Sequence, residues 1–171
     1  KNEMAETRKA LLESKDAQLK QAIQQGALWL TRGKSTQRLR RIKKPLQTTD
    51  TLHFYYDEQV LSQQPNEALL IEDRTDYSVW YKPYGMLSQG SKWSDHCTIA
   101  RYAQQHLTPE RSVFIVHRLD RAATGLILIA HSKTAARALS SMFENRTTCN
   151  NTLEKHYQII VHGEHNINKQ P

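Results

Sequence analysis

Two apolar runs, Val113-Phe114-Ile115-Val116 and Leu126-Ile127-Leu128-Ile129-Ala130, stand on either side of one short charged connection. Apolar runs of this length, bounded by turn residues, are the pattern of buried strands. The chain must therefore turn between them and present the connection at one end of a sheet. That connection begins His117-Arg118-Leu119-Asp120-Arg121 and ends Thr124-Gly125, so a single carboxylate lies between two guanidiniums. Flanking positive charge favours the ionised form and keeps the carboxylate available as a nucleophile at neutral pH. Alone, an Arg-x-Asp pattern also describes an ion pair bracing a hairpin.

The rest of the chain supplies the setting. Ala10, Leu11, Leu19, Ala22 and Ile23 are spaced as an apolar stripe and predict a helix to about Gln25, capped by Gly26. A short strand over Ala27-Leu28-Trp29-Leu30 and a turn at Arg32-Gly33-Lys34 follow, and Leu52, Phe54 and Tyr56 alternate as in a half-buried strand. The polar stretch Ser62 to Glu67, with Pro65, is expected to be a linker. Beyond it, strands are expected at Ser78 to Lys82, Val113 to Val116, Gly125 to Ala130 and His156 to Val161. Helices are expected at Thr98 to Leu107 and Thr134 to Asn145, with a capped single turn at Thr108-Pro109-Glu110. Ala135, Leu139, Met142 and Phe143 share one helix face, which is expected to pack on the core.

Charge narrows the partners. The net charge is +7, and no acidic residue occurs from Ala17 to Thr49, where Lys20, Arg32, Lys34, Arg38, Arg40, Arg41, Lys43 and Lys44 all fall. A basic face on a small N-terminal domain, open to a polyanion, is the expectation. Cys97 and Cys149 have no close partner spacing, which favours a reduced, cytoplasmic setting over a disulfide framework. The eight histidines show no zinc-ligand spacing, and neither a glycine-rich phosphate loop nor a Gly-x-Ser-x-Gly elbow is present. No apolar run approaches the ~20 residues that span a bilayer, and no charged-then-apolar leader is expected ahead of the first helix.

His117-Arg118-Leu119-Asp120-Arg121, continuing through Thr124-Gly125-Leu126 to Ala130, resembles the signature of the RluA-type pseudouridine synthases. Two further stretches match in the same order: Val79-Trp80-Tyr81-Lys82-Pro83-Tyr84-Gly85-Met86, similar to the family's Lys-Pro-x-Gly strand end, and Lys155-His156-Tyr157, similar to its Lys-x-Tyr strand. The sequence departs from the family at Ala122-Ala123-Thr124-Gly125, where Asp-Thr-Ser-Gly is usual, and in the longer polar lead from Asn145 to Glu154. The family's domain continues past the Lys-x-Tyr strand and carries a further basic active-site residue there. The resemblance therefore implies an incomplete catalytic domain here.

The resemblance implies an α+β fold, a mainly antiparallel sheet with flanking helices at 68–171. A linker at 62–67 and a small S4-like RNA-binding domain at 1–61 would precede it. It also implies an isomerase that converts specific uridines of ribosomal or transfer RNA to pseudouridine, as a cytoplasmic monomer. The reaction breaks N1–C1′, turns the uracil and rejoins it through C5, so neither metal nor redox cofactor is required. Asp120 would be the catalytic carboxylate, Arg118 would occupy the space left by the flipped nucleotide, and Tyr157 would stack on the uracil. His117, Leu119, Arg121 and Lys82 would contact the RNA around Asp120, with Lys82 also shaping the turn beneath it. Arg32, Lys34, Arg38, Arg40, Arg41, Lys43 and Lys44 would hold phosphates. The alternative is a non-catalytic RNA-binding module carrying an inert synthase-like part.

Overall fold

The computed structural model describes residues 2–41, 45–144 and 153–163, with side chains from Glu13 onward. Helix α1 runs Asn2–Gln24, a single helix where an S4-like unit would begin with a pair. The apolar positions Ala10 and Leu11 lie outside the described side chains. As expected, Gly26 ends α1 in the left-handed region at φ 95°, its N–H donating to Ile23 O at 3.0 Å. A Cβ there would run into the Arg38 guanidinium and the Asp95 carboxylate, so the position also demands the absence of a side chain.

Three strands follow, β1 (Leu28–Arg32), β2 (Ser35–Leu39) and β3 (Thr51–Phe54), in the antiparallel order β2-β1-β3. Leu28 and Leu30 of the central strand are buried. The alternation at Leu52, Phe54 and Tyr56 was expected to mark a half-buried strand, but all three are more than two fifths exposed. β3 is an edge strand of this small sheet, and edges are the positions cover reaches least. A short helix, α2 (Glu58–Leu61), capped by Asp57 accepting from Val60 N at 3.1 Å, closes this part of the chain.

The second sheet has the order β4-β5-β7-β6, antiparallel throughout, with β4 at Leu69–Asp73, β5 at Tyr77–Lys82, β6 at Phe114–Ile115 and β7 at Gly125–Ala130. Its inner face is built by Ser78, Trp80 and Lys82 of β5 with Ile127 and Ile129 of β7. Helix α3 (Ile99–His106), capped by Thr98, supplies Ile99 and Ala103 to the same core, joined by Met86, Leu107 and Leu119. Burying each large apolar side chain of this cluster stabilises the fold by about 1.5–3 kcal/mol. Its polar members are satisfied in series. Trp80 Nε1 donates to Ser78 Oγ at 2.8 Å, Ser78 Oγ meets His131 Nε2 at 2.9 Å, and His131 Nδ1 meets Ser112 O at 2.9 Å. A carbonyl only accepts, so Nδ1 carries the proton and Ser78 donates to Nε2.

Helix α4 (Lys133–Glu144) packs on β6 and β7, with Ala135, Leu139 and Phe143 half-buried. Met142, expected on the same packed face, is 44% exposed. Two other expectations fail. Pro109 lies in a bend just after α3 and opens no helical turn. Residues 156–161 form no strand: Tyr157 is 60% exposed, Ile159 79%, and Ile160 fully so. An alternating apolar segment becomes a strand only when another backbone pairs with it, and none does among the described residues. No described helix is long and apolar enough to cross a membrane.

The register positions the site. Lys82, last in β5, pairs with Gly125, first in β7. The Lys82–Met86 turn and the 117–125 connection therefore leave the sheet at the same end.

Candidate active site

Asp120 sits on the connection entering β7, exposed to solvent, and its carbonyl accepts from Ala123 N at 3.1 Å. The connection is pinned to the turn after β5 by four hydrogen bonds. Gly85 N donates to Arg121 O at 2.8 Å and Arg121 Nε to Gly85 O at 3.2 Å. Ser88 Oγ donates to Leu119 O at 2.6 Å and accepts from Leu119 N at 3.0 Å. Gly85 makes its approach at φ 82°, a backbone conformation that side-chain-bearing residues avoid. Leu119 anchors the other side, buried in the main core. An exposed carboxylate on a loop tied down at both neighbours is pre-positioned for chemistry.

Beneath it lies a buried cation. Lys82 is wholly inaccessible, its Nζ donating to Met86 O at 2.8 Å and Pro83 O at 3.2 Å. Burial pushes the Lys82 ammonium down from its ordinary value, and the negative charge of Asp120 works against that shift. The charge that faces Asp120 from within the fold is thus a lysine contributed by β5. No ion pair joins Asp120 to Arg118 or Arg121 among the described residues, which corrects the picture of a carboxylate held between its two flanking guanidiniums. Arg118 is exposed, and the side chain of Arg121 turns back to Gly85.

Three residues expected to touch RNA are instead structural. Lys82 and Leu119 are buried, the first by its carbonyl contacts and the second by the core. His117 accepts from Leu128 N at 3.0 Å through Nε2, and its ring lies 4.2 Å from that of Phe143 on α4. Burial, with the charge of Lys155 adding to it, pushes the imidazole down to about 4, so His117 is neutral near pH 7.

A prediction follows from the sign of that shift. The unfolded chain takes up a proton on His117 near pH 6.5 and the folded chain only near 4, so stability is lost as pH falls across that window. Allowing for partial exposure, about 1–2 kcal/mol should disappear. His117→Gln keeps an acceptor for Leu128 N and should flatten the slope when denaturation midpoints are followed with pH. Superimposable curves would refute the assignment.

The basic N-terminal residues also divide. Arg32 Nε and Nη2 pair with both oxygens of Asp50 at 2.7 and 2.6 Å. That pairing, with the Gln47 backbone N–H, holds the Asp50 carboxyl at about 2. Arg38 donates to Gly26 O at 2.6 Å and to Ser91 O, and lies 3.7 Å from Asp95. Arg40 is bonded to the other Asp95 oxygen. These three guanidiniums are committed inside the fold, against the expectation of open phosphate contacts. Their acidic partners lie outside the acid-free window that suggested an open face. Lys34 and Arg41 are exposed, while Lys43 and Lys44 lie outside the described residues. Ser88 went unnoticed in the sequence, since nothing in Ser88-Gln89-Gly90-Ser91 marks a hydroxyl that reaches Leu119.

Comparison with known proteins bears on this arrangement. The family model described as RNA pseudouridylate synthase matches residues 76–171, more than half of the chain, and the match spans Lys82, Ser88 and Asp120. The chain belongs to the RNA pseudouridylate synthase family. Among its relatives, the tRNA pseudouridine synthase C of Haemophilus ducreyi is 38% identical over 84 residues, covering 48% of this chain and 32% of that protein. The ribosomal large subunit pseudouridine synthase C of Vibrio vulnificus is 32% identical over 99 residues, covering 57% and 29%. The ribosomal large subunit pseudouridine synthase D of Borreliella burgdorferi is 29% identical over 142 residues, covering 74% and 41%. The chain thus spans less than half the length of each of these relatives.

Proposed function

We propose that this chain carries the catalytic carboxylate of an RNA pseudouridine synthase that isomerises uridines in ribosomal or transfer RNA, with Asp120 as the reacting group. The observation that carries the proposal is an exposed carboxylate on a loop pinned by Ser88 and Gly85, with the buried Lys82 charge facing it. Asp120 either attacks the ribose carbon or assists elimination from it. In both routes the N1–C1′ bond breaks, the uracil turns, C5 bonds to C1′, and the C5 proton leaves as N1 regains one. No atom is gained or lost, so no co-reactant enters.

The target nucleotide leaves its stack to reach Asp120, at a cost of a few kcal/mol. Arg118, exposed beside the carboxylate, is the side chain proposed to fill the vacated space and stack on neighbouring bases. Tyr157, in the Lys-x-Tyr stretch, is the residue proposed to stack on the uracil, a reading its exposed ring supports. Residues 68–171 constitute the synthase unit and 62–67 the linker. Residues 1–61 act as a small S4-like RNA-binding unit, supported by the helix, strand and glycine turn at α1, β1 and Gly33. Lys34 and Arg41 are its exposed cations for phosphate, and Arg121 lies at the RNA-facing edge of the Asp120 loop. The setting is cytoplasmic and the chain a monomer.

The test is incubation of the chain with unmodified ribosomal and transfer RNA transcripts, followed by mapping of pseudouridine through carbodiimide derivatisation. Product at defined uridines of one RNA class supports the proposal and names the class. A folded chain that binds RNA and yields no product would place it among binding-only modules.

A further inference from the structure

The outer face of the three-stranded sheet carries a groove that the proposed chemistry does not use. Trp29 and Thr31 of β1, Thr36 of β2, His53 of β3, Tyr55 and Lys92 line an open cavity of about 410 Å³. The register makes it one surface: Trp29 lies opposite His53, and Thr31 opposite Thr36. Leu28 and Leu30, the intervening residues of β1, point the other way and are buried. Lys92 comes from the loop before α3, where the Trp29 indole N–H donates to its carbonyl at 2.8 Å.

The chemistry of the lining is specific. Three aromatic rings converge with two threonine hydroxyls, the Tyr55 phenol and one ammonium, and no carboxylate is among them. Asp50 is paired with Arg32 and Asp95 with Arg38 and Arg40, and no acid lines the groove beside Lys92. The ammonium rests 5.3 Å from the Tyr55 ring and 5.1 Å from that of Trp93. Such a contact at an exposed site is weak enough to be exchanged for an anion. Thr31 Oγ1 already meets Thr36 Oγ1 at 2.9 Å and His53 Nε2 at 3.0 Å, offering groups that both donate and accept.

We propose that this groove holds one unstacked nucleotide of single-stranded RNA, its base lying on the Tyr55 and His53 rings beside Trp29, whose own ring already carries the Arg38 guanidinium at 4.4 Å, and its phosphate on Lys92. The proposal rests on the RNA-modifying function above and adds a second contact to it, on a different sheet from Asp120. Aromatic rings take any base through its π face, while a cation tracks the backbone, so the groove binds without choosing sequence. The volume falls in the range of sites that bury a small organic ligand.

Titration of the chain with short oligoadenylate, followed by tryptophan fluorescence, tests this. Oligoadenylate has no uridine to isomerise, so the outcome is independent of catalysis: binding without pseudouridine formation would sink only the catalytic proposal, and the converse only this one. Saturable quenching is expected, weakened about tenfold by Lys92→Glu and by His53→Ala, and unchanged by Asp120→Asn. Lys92 is exposed and His53 half-exposed, so both variants are expected to fold, with circular dichroism as the check. Tyr55→Ala supplies a third reading of the stacking face. Absence of quenching in the folded wild type, or affinity unchanged in the Lys92 and His53 variants, overturns the proposal. Quenching by an unstructured acidic peptide equal to that by oligoadenylate also overturns it, because the groove would then be reading charge alone.

Discussion

Asp120→Ala is expected to lower the rate of pseudouridine formation by at least about 10³-fold while leaving RNA affinity within about twofold of wild type. The carboxylate is the one group on its loop suited to attack the ribose or to take a proton, and the variant removes it without touching Ser88, Gly85 or Leu119. Affinity rests on phosphate contacts from exposed lysines and arginines, which the substitution leaves in place. Losing a negative charge next to a polyanion should tighten binding slightly, if anything. The same change removes the partner of Lys82, whose buried ammonium is then opposed by burial alone. Asp120→Asn should therefore be as inactive as Asp120→Ala, because the amide retains shape but neither nucleophilicity nor charge. Single-turnover kinetics on an unmodified transcript, paired with equilibrium binding, separates the two effects. Affinity falling in parallel with rate would make Asp120 a binding group.

Ser88→Ala is expected to cost about 2–4 kcal/mol of folding stability and to reduce activity with it. Ser88 is buried, and its hydroxyl satisfies both backbone groups of Leu119, which is itself buried. Removing the oxygen orphans one N–H and one carbonyl in the core, each at about 1–3 kcal/mol. Asp120 is the next residue, so relaxation of Leu119 displaces the carboxylate. Denaturant unfolding measures the first effect, and kcat at saturating RNA the second. Ser91→Ala, on the exposed part of the same loop, loses only an exposed acceptor for Trp93 N at 3.2 Å, should change stability by less than about 1 kcal/mol and serves as the control. Equal behaviour of the two variants would remove Ser88 from its proposed positioning role.

The elements at the site were legible because their apolar periodicity is strong. β5, β7 and α3 occupy the stretches where strands at Ser78 to Lys82 and Gly125 to Ala130 and a helix at Thr98 to Leu107 were expected. β2 and β4 were missed for the converse reason. Ser35–Leu39 is polar and basic, and Leu69–Asp73 puts three apolar residues in sequence ahead of two acids at an exposed edge. Strand His156 to Val161 was expected on sound alternation, but pairing is a property of two segments and one sequence window cannot supply it. The same limit explains the arginines. Arg38 and Arg40 meet Asp95 across more than fifty residues, so a local acid-free window suggested open cations where the fold makes an internal cluster. Around Asp120 the connection between two strands was legible, but its surroundings were inverted. Lys82, His117 and Leu119 lie between apolar runs, where sequence alone does not distinguish a buried polar group from a surface one.

Release of tritium from transcripts labelled at C5 of uridine reports the chemistry assigned to Asp120. Bonding C5 to C1′ expels the C5 hydrogen to water, so each product formed liberates one label whatever route Asp120 takes. Time-dependent release from a defined number of sites by the wild-type chain, with background release from Asp120→Ala, is the predicted result. Equal release from both proteins, or none from a folded wild-type chain that binds the transcript, would contradict the account.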